Sequence, residues 1–162
     1  MKRNLRIELL GLLLLAAFSL AALSPSAEAR SCSAAKTAGK YGFTLTGVVI
    51  LPTGPVPIAA IGRAVLDADG TARGTESRSV GGGFADETFA GTYTVNPDCT
   101  GTTTLQFFES GQLVRTSVLS IVFDNNEQEI RMVQKSLQLP NGAFLPAVIT
   151  VEARKLFTED DD

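Results

Sequence analysis

The sequence predicts an all-β protein, a single eight-stranded antiparallel up-and-down β-barrel preceded by a signal peptide. Three observations predict it. After Lys40 the apolar residues recur mostly at a period of two, in short runs rich in Thr, Val, Phe and Tyr. Clusters of Gly, Pro, Asn and Asp cut the chain between those runs. Ahead of them lies a leader of quite different composition.

In the leader, Lys2, Arg3 and Arg6 precede an uncharged run over residues 9–23, mostly Leu and Ala. Ser24-Pro25-Ser26 breaks the run, and Ala27-Glu28-Ala29 follows. A positive start, an apolar stretch and a small-x-small site make the pattern of a secretory signal peptide. The apolar stretch is shorter than the roughly 20 residues that a membrane span needs. Cleavage near Ala29 is expected, with no membrane span afterwards and a secreted or periplasmic destination. Arg30, just ahead of Ser31 and Cys32, spoils the small apolar run that lipidation of Cys32 would need.

The predicted organisation is a signal peptide over 1–29, a lead-in over 30–40, a barrel over 41–157 and an acidic disordered tail over 158–162. The first run, 41–51, places Tyr41, Phe43, Leu45, Val49 and Leu51 on one face, and Pro52-Thr53-Gly54-Pro55 ends it. The second, 58–66, ends at Asp67-Ala68-Asp69-Gly70, where Asp starts a turn and Gly supplies positive φ. The third, 71–80, is polar, with Arg73, Glu76 and Arg78, and Gly81-Gly82-Gly83 after it reads as a flexible joint. In the fourth, 87–95, Phe89, Gly91, Tyr93 and Val95 share a face. The turn Asn96-Pro97-Asp98-Cys99-Thr100-Gly101 leads to the fifth, 102–109. Ser110-Gly111 leads to the sixth, 113–123, and Asp124-Asn125-Asn126-Glu127 to the seventh, 129–139. Pro140-Asn141-Gly142 leads to the eighth, 146–157. The mature chain shows no amphipathic helix beyond about two turns.

Eight strands joined by short turns pair sequentially. Such a sheet either splits into a two-layer β-sandwich, the alternative fold, or closes into a barrel that has no exposed edges. Gly47, Gly62, Gly74 and Gly91, inside the runs, favour the tight coiling of a closed barrel.

Composition excludes several chemistries. There is no His among the 162 residues, which removes Ser-His-Asp triads, Cys-His dyads and His-ligated metal sites. The formal net charge of −3 leaves no basic footprint for nucleic acid. No metal site and no cofactor is predicted. Gly81-Gly82-Gly83 lacks the Gly-Lys-Ser/Thr ending of a phosphate loop and opens a strand, not a helix. Cys32 and Cys99, an even pair in an exported chain, read as one disulfide tying the lead-in to the barrel.

Among candidate site residues, the acids Glu76, Asp86, Glu87, Glu109 and Glu129 read mostly as outward charges, since carboxylates are seldom buried unpaired. Tyr41, Phe43, Phe89 and Tyr93 are candidates to line a ligand cavity, with core packing as the plainer role. Arg115 and Gln134 each share a face with apolar residues, and a polar group on an apolar inner face orients ligands. The sixth run is apolar on both faces, so periodicity leaves open whether Arg115 or Thr116 points inward. The snorkelling habit of Arg favours Arg115 in water.

The stretch Phe89-Ala90-Gly91-Thr92-Tyr93-Thr94-Val95-Asn96-Pro97-Asp98-Cys99-Thr100-Gly101-Thr102 resembles runs, with Gly-x-Tyr-x-Val ahead of Asp-Cys-x-Gly, in exported bacterial proteins. Those are similar to calycin-like barrels, in particular the allene oxide cyclase type. Gly39-Lys40-Tyr41-Gly42-Phe43, Gly62, Asp69-Gly70 and Gly74 extend the likeness, which spans residues 39 to about 110. The resemblance implies a barrel with an apolar interior. It assigns no activity, because the cyclase family's polar catalytic set does not map onto this chain residue by residue, and fold alone does not fix function. The residues leave enzymatic activity open and lean against it. The expected role is an exported barrel whose partner is a small apolar ligand. The alternatives are an isomerase or cyclase of the allene oxide cyclase type, and a non-catalytic structural or interaction protein of the envelope.

Overall fold

A computed structural model describes residues 31–124 and 126–156. The expected signal peptide, its cleavage site and the expected acidic tail lie outside the described residues.

Eight antiparallel strands form one closed barrel in sequence order: β1 (Gly39–Leu51), β2 (Gly54–Leu66), β3 (Thr71–Val80), β4 (Gly83–Val95), β5 (Thr100–Glu109), β6 (Gln112–Asp124), β7 (Glu129–Gln138) and β8 (Ala147–Lys155). Closure comes from β1 pairing with β8, with Tyr41 opposite Lys155 and Val49 opposite Ala147. That pairing excludes the two-layer sandwich. A single helical turn, α1 (Ala34–Thr37), precedes the barrel and is capped by Ser33, whose side chain accepts from the Lys36 N–H.

Two strands start four residues earlier than the alternation suggests. Strand β2 begins at Gly54 and includes Pro55 and Pro57. Both precede Ile58, where pairing to β3 begins, and a strand without a partner on one side tolerates residues that lack an N–H. Strand β4 begins at Gly83, because Gly81 (φ 56°) and Gly82 (φ 90°) make a two-residue hairpin loop. Such a loop needs positive φ at both positions, so the expected flexible joint is a defined turn.

The glycines inside the strands let the barrel coil. At Gly62 a Cβ would stand 2.3 Å from the Thr75 carbonyl oxygen and 2.5 Å from the Phe43 ring. At Gly74 it would stand 2.1 Å from the Arg63 carbonyl oxygen and 2.4 Å from the Phe89 ring. Phe43 faces Gly62 and Phe89 faces Gly74 across their strand pairs. Each ring covers the backbone that its glycine leaves bare, a known way of stabilising strand glycines.

Two bulges adjust the wall. Val114 is the extra residue of β6 against β5, and Lys135 the extra residue of β7 against β6. Strands β7 and β8 pair only from Glu129 to Val133, so the cylinder loosens toward the β7–β8 loop.

The two ends differ. At one end α1 lies against the barrel. The Tyr41 hydroxyl donates to the Thr37 carbonyl (2.7 Å), and the Tyr93 hydroxyl approaches the Asp67 carbonyl (2.8 Å) and the Ala34 carbonyl (3.2 Å). The Cys32–Cys99 disulfide fixes the lead-in to the β4–β5 turn, and the Cys32 N–H donates to the Pro97 carbonyl. Tyr41, Tyr93, Ile121, Phe123, Ile130 and Ala153 pack beneath the helix. A second cluster, including Leu45, Val49, Ile58, Leu119, Leu137 and Ile149, fills the middle and approaches the other end.

Candidate functional site

The inward faces of β3, β4 and β6 bring three charged side chains together inside the barrel. On β3 the even positions Ala72, Gly74, Glu76, Arg78 and Val80 face in, while Thr71, Arg73 and Thr75 on the other parity are exposed. On β4, Glu87 shares the inner face of Phe89 and Tyr93. On β6, Arg115, Ser117, Leu119, Ile121 and Phe123 are all buried. Arg115 therefore points inward, against the expectation that it reaches water. Glu76 and Glu87 are also inside, which corrects their reading as outward charges. The physical reason is pairing: each buried charge has an opposite partner, so none of them needs water.

Arg115 Nη2 lies 2.6 Å from Glu76 Oε1, and Arg115 Nη1 donates to Glu87 Oε2. Its guanidinium stacks over the Phe107 ring, 3.8 Å from the centroid. Glu87 Oε1 also accepts from Arg78 Nε (2.9 Å) and Nη2 (2.7 Å), and Arg78 in turn stands 4.0 Å from Glu109. Both glutamate side chains are all but fully buried, whereas Arg78 keeps 18% of its side chain exposed.

The two carboxyls are pushed apart. Burial drives Glu76 up to about 6, and the Arg115 charge and hydrogen bond only partly offset it. Burial also works to raise Glu87, but hydrogen bonds and charge from Arg78 and Arg115 outweigh it, so Glu87 lies below the usual carboxylate range. The difference follows from sharing. Glu87 holds two arginines, and Glu76 has part of one.

The raised Glu76 makes stability depend on pH. Unfolded, the group titrates near 4.5; folded, near 6. Between those values the folded state binds more protons than the unfolded state, so stability falls as pH rises through the window. Glu87 acts the other way, contributing stability above its unfolded value of 4.5 that is lost as pH falls. We expect the wild-type melting temperature to drop between pH 4.5 and 6.5, by the equivalent of roughly 2 kcal/mol. Glu76→Gln, measured by calorimetry over the same range, removes that slope; an equal slope in the variant would refute the assignment.

Two cavities within the barrel flank the charged cluster, besides an outer cleft of about 590 Å³ that touches Glu76 and Glu87. An inner one of about 60 Å³ lies within the barrel, where all eight strands contribute to its wall, and is lined by Phe43, Phe89, Phe107, Glu76, Arg115 and Gln134 among others. Phe43, Phe89 and Phe107 form a row, with ring centroids 6.0 and 5.3 Å apart. The other, about 220 Å³, opens at the barrel end away from α1 and is lined by nine aliphatic side chains together with Arg78 and Arg115. Ile58, Arg115 and Leu137 border both, so Arg115 stands at the throat between mouth and interior.

Of the six candidate lining residues, Phe43, Phe89, Arg115 and Gln134 border the inner cavity. Tyr41 and Tyr93 border neither cavity; they hold α1 at the closed end, where burial raises both phenols. Glu76, Glu87 and Arg78 are the site residues that sequence reasoning missed. The signal was parity. Glu87 lies on the same face of its run as Phe89 and Tyr93, and Glu76 and Arg78 lie on the less polar face of theirs.

Fold and site together define a closed eight-stranded barrel with one sealed end, one open apolar end and a neutralised charge cluster between them. No family model matches the chain, and no curated protein matches it. Among solved structures, EF1p2_mFAP2b bound to DFHBI is similar, with a TM-score of 0.51 at 13% identity over 79% of this chain and 98% of its own. A redesigned β-barrel, mFAP1, bound to DFHBI gives 0.49 at 16% identity over 76% and 98%. The first of these likenesses is one of fold.

Proposed function

We propose that this protein is exported and binds a small apolar molecule in the open end of its barrel. One observation carries the reading. The end opposite α1 holds an aliphatic mouth of about 220 Å³ that adjoins an inner cavity, while the other end is sealed. Small-molecule sites are concave and mostly apolar, with a few placed polar groups, and barrel mouths are a common location. Export is supported by the leader pattern and by the Cys32–Cys99 disulfide, a bond that persists in oxidising compartments. A closed barrel with a largely apolar interior also fits the calycin-like resemblance carried by residues 89–102.

Volume limits the cargo. A cavity of about 150 Å³ takes benzene, so a mouth of this size seats roughly nine heavy atoms. The test uses protein recovered from the exported fraction, with Arg30 expected as its first residue. Thermal shift is measured with octan-1-ol, monoterpenoids and small aromatics. A ligand at a hundredfold excess over its Kd adds about 2.7 kcal/mol, on the order of 10 °C. Leu145→Trp, which fills the mouth, should abolish the shift. No shift with any of these ligands would overturn the reading.

A second reading, isomerisation or cyclisation of the bound molecule, is favoured by the orientation of Glu76 into the inner cavity with its carboxyl raised to about 6. It requires product to form from a bound ligand and to stop forming in Glu76→Gln. A ligand recovered unchanged after long incubation counts against it.

A further inference from the structure

Two guanidinium groups border the open mouth, and no carboxylate does. Glu76 faces the inner cavity, and Glu87 borders neither the mouth nor that cavity. A molecule entering the mouth therefore meets aliphatic wall and then the edges of Arg78 and Arg115. Both arginines retain donors. Arg78 spends Nε and Nη2 on Glu87, and Arg115 spends Nη1 and Nη2 on Glu87 and Glu76. Arg78 Nη1 and Arg115 Nε have no hydrogen bond among the described residues. Guanidinium edges presented within an apolar wall match a carboxylate on an aliphatic chain.

Charge balance raises a difficulty for such a ligand. With Glu76 and Glu87 both ionised, the two arginines are already neutralised. An added carboxylate would leave a net negative charge in a low-dielectric site. Glu76 is the group that can relieve it. It faces Arg115 from β6 and Glu87 from β4, with Phe107 of β5 beneath the guanidinium. Among the described residues, Arg78 and Glu109 reach the cluster through Glu87. Glu76 is also the acid whose burial already favours its proton.

We propose that the open mouth binds a short-chain aliphatic monocarboxylate against Arg78 and Arg115, and that Glu76 takes up one proton from solvent as the anion enters. This rests on the reading above, that the open end binds a small molecule, and names its ligand class. The exchange is balanced: one carboxylate enters, one proton enters, and the Glu76 carboxylate becomes the neutral acid. Arg115 then turns from two internal anions to one internal anion and the ligand.

The experiment is titration calorimetry with sodium octanoate at pH 7.5, in two buffers of different ionisation enthalpy. The expected result is uptake of about one proton per octanoate, with affinity falling about tenfold per pH unit above the Glu76 titration. Octan-1-ol should bind with no proton uptake. Arg78→Gln should weaken octanoate about tenfold and leave octan-1-ol unchanged. Glu76→Gln should bind octanoate with no uptake and no pH slope, and its binding of octan-1-ol reports that its fold is intact. Uptake that persists in Glu76→Gln would mean that the ligand itself is protonated, and overturns the proposal. Equal binding of octanoate and octan-1-ol without uptake overturns it while leaving the proposed binding of a small apolar molecule standing. Binding of neither overturns both.

Discussion

Arg115→Leu is expected to destabilise the folded protein by about 3–5 kcal/mol, the usual cost of leaving a buried ion-pair partner alone. Arg115 is 9% exposed and is the only cation paired to Glu76 among the described contacts. Without it, Glu76 sits in an apolar interior with a charge and no counter-charge, and Glu87 keeps Arg78 alone. The loss of the stacked contact with Phe107 adds to the cost. Two companion results distinguish this cause from lost packing. The variant should regain stability as pH falls from 7 to 5, because protonation removes the stranded charge. Replacing Arg115, Glu76 and Glu87 together with leucine should recover most of the loss, since apolar replacement of buried ion pairs is often neutral and Arg78, which keeps 18% of its side chain exposed, still has Glu109 at 4.0 Å. Denaturant unfolding of the three proteins measures all of this. A single variant that loses under 1 kcal/mol would mean that the cluster is not a buried electrostatic unit.

Removing the Cys32–Cys99 bond is expected to cost roughly 4 kcal/mol, the chain-entropy value for a closed loop of 67 residues. The effect should be largest at the sealed end. There the bond, the Cys32 N–H and the hydroxyls of Tyr41 and Tyr93 all hold the lead-in. The ladder that closes the barrel, between β1 and β8, does not pass through the disulfide. A Cys32→Ser, Cys99→Ser protein should therefore keep the strand signature by circular dichroism. Its melting temperature should fall by on the order of 10 °C. Hydrogen exchange should quicken first at position 99 and at residues of α1. Unchanged stability on reduction would show that side-chain packing alone holds α1 in place.

Much of the architecture was legible in the residues. Alternation named the inner face of β1 correctly at Tyr41, Leu45 and Val49, because side chains on a strand point to opposite faces in turn. Asp69-Gly70 and Ser110-Gly111 marked turns through their need for positive φ, and the structure has Gly70 at 87° and Gly111 at 80°. The strand glycines marked where two backbones come too close for a Cβ. Strand β6 was not legible, since both of its faces are apolar and period two then carries no direction. Its register is set by pairing with β5 and β7 and by the bulge at Val114.

The charged cluster shows the same division. Parity alone placed Glu87 beside Phe89 and Tyr93, but the expectation that carboxylates face water overrode it. That expectation holds only for an unpaired acid. Whether an acid has a partner depends on residues 28 and 39 positions away in the chain, as Arg115 is from Glu87 and Glu76. No local pattern records such a meeting.

By itself, the sequence determined strand number, turn positions and the exclusion of histidine chemistry, all of which follow from local preference and composition. Only the tertiary structure decided which side chains share the lumen, which end α1 seals and how much space remains at the other. Those are consequences of ring closure, which brings distant strands to one axis and lets opposite charges meet where water is scarce.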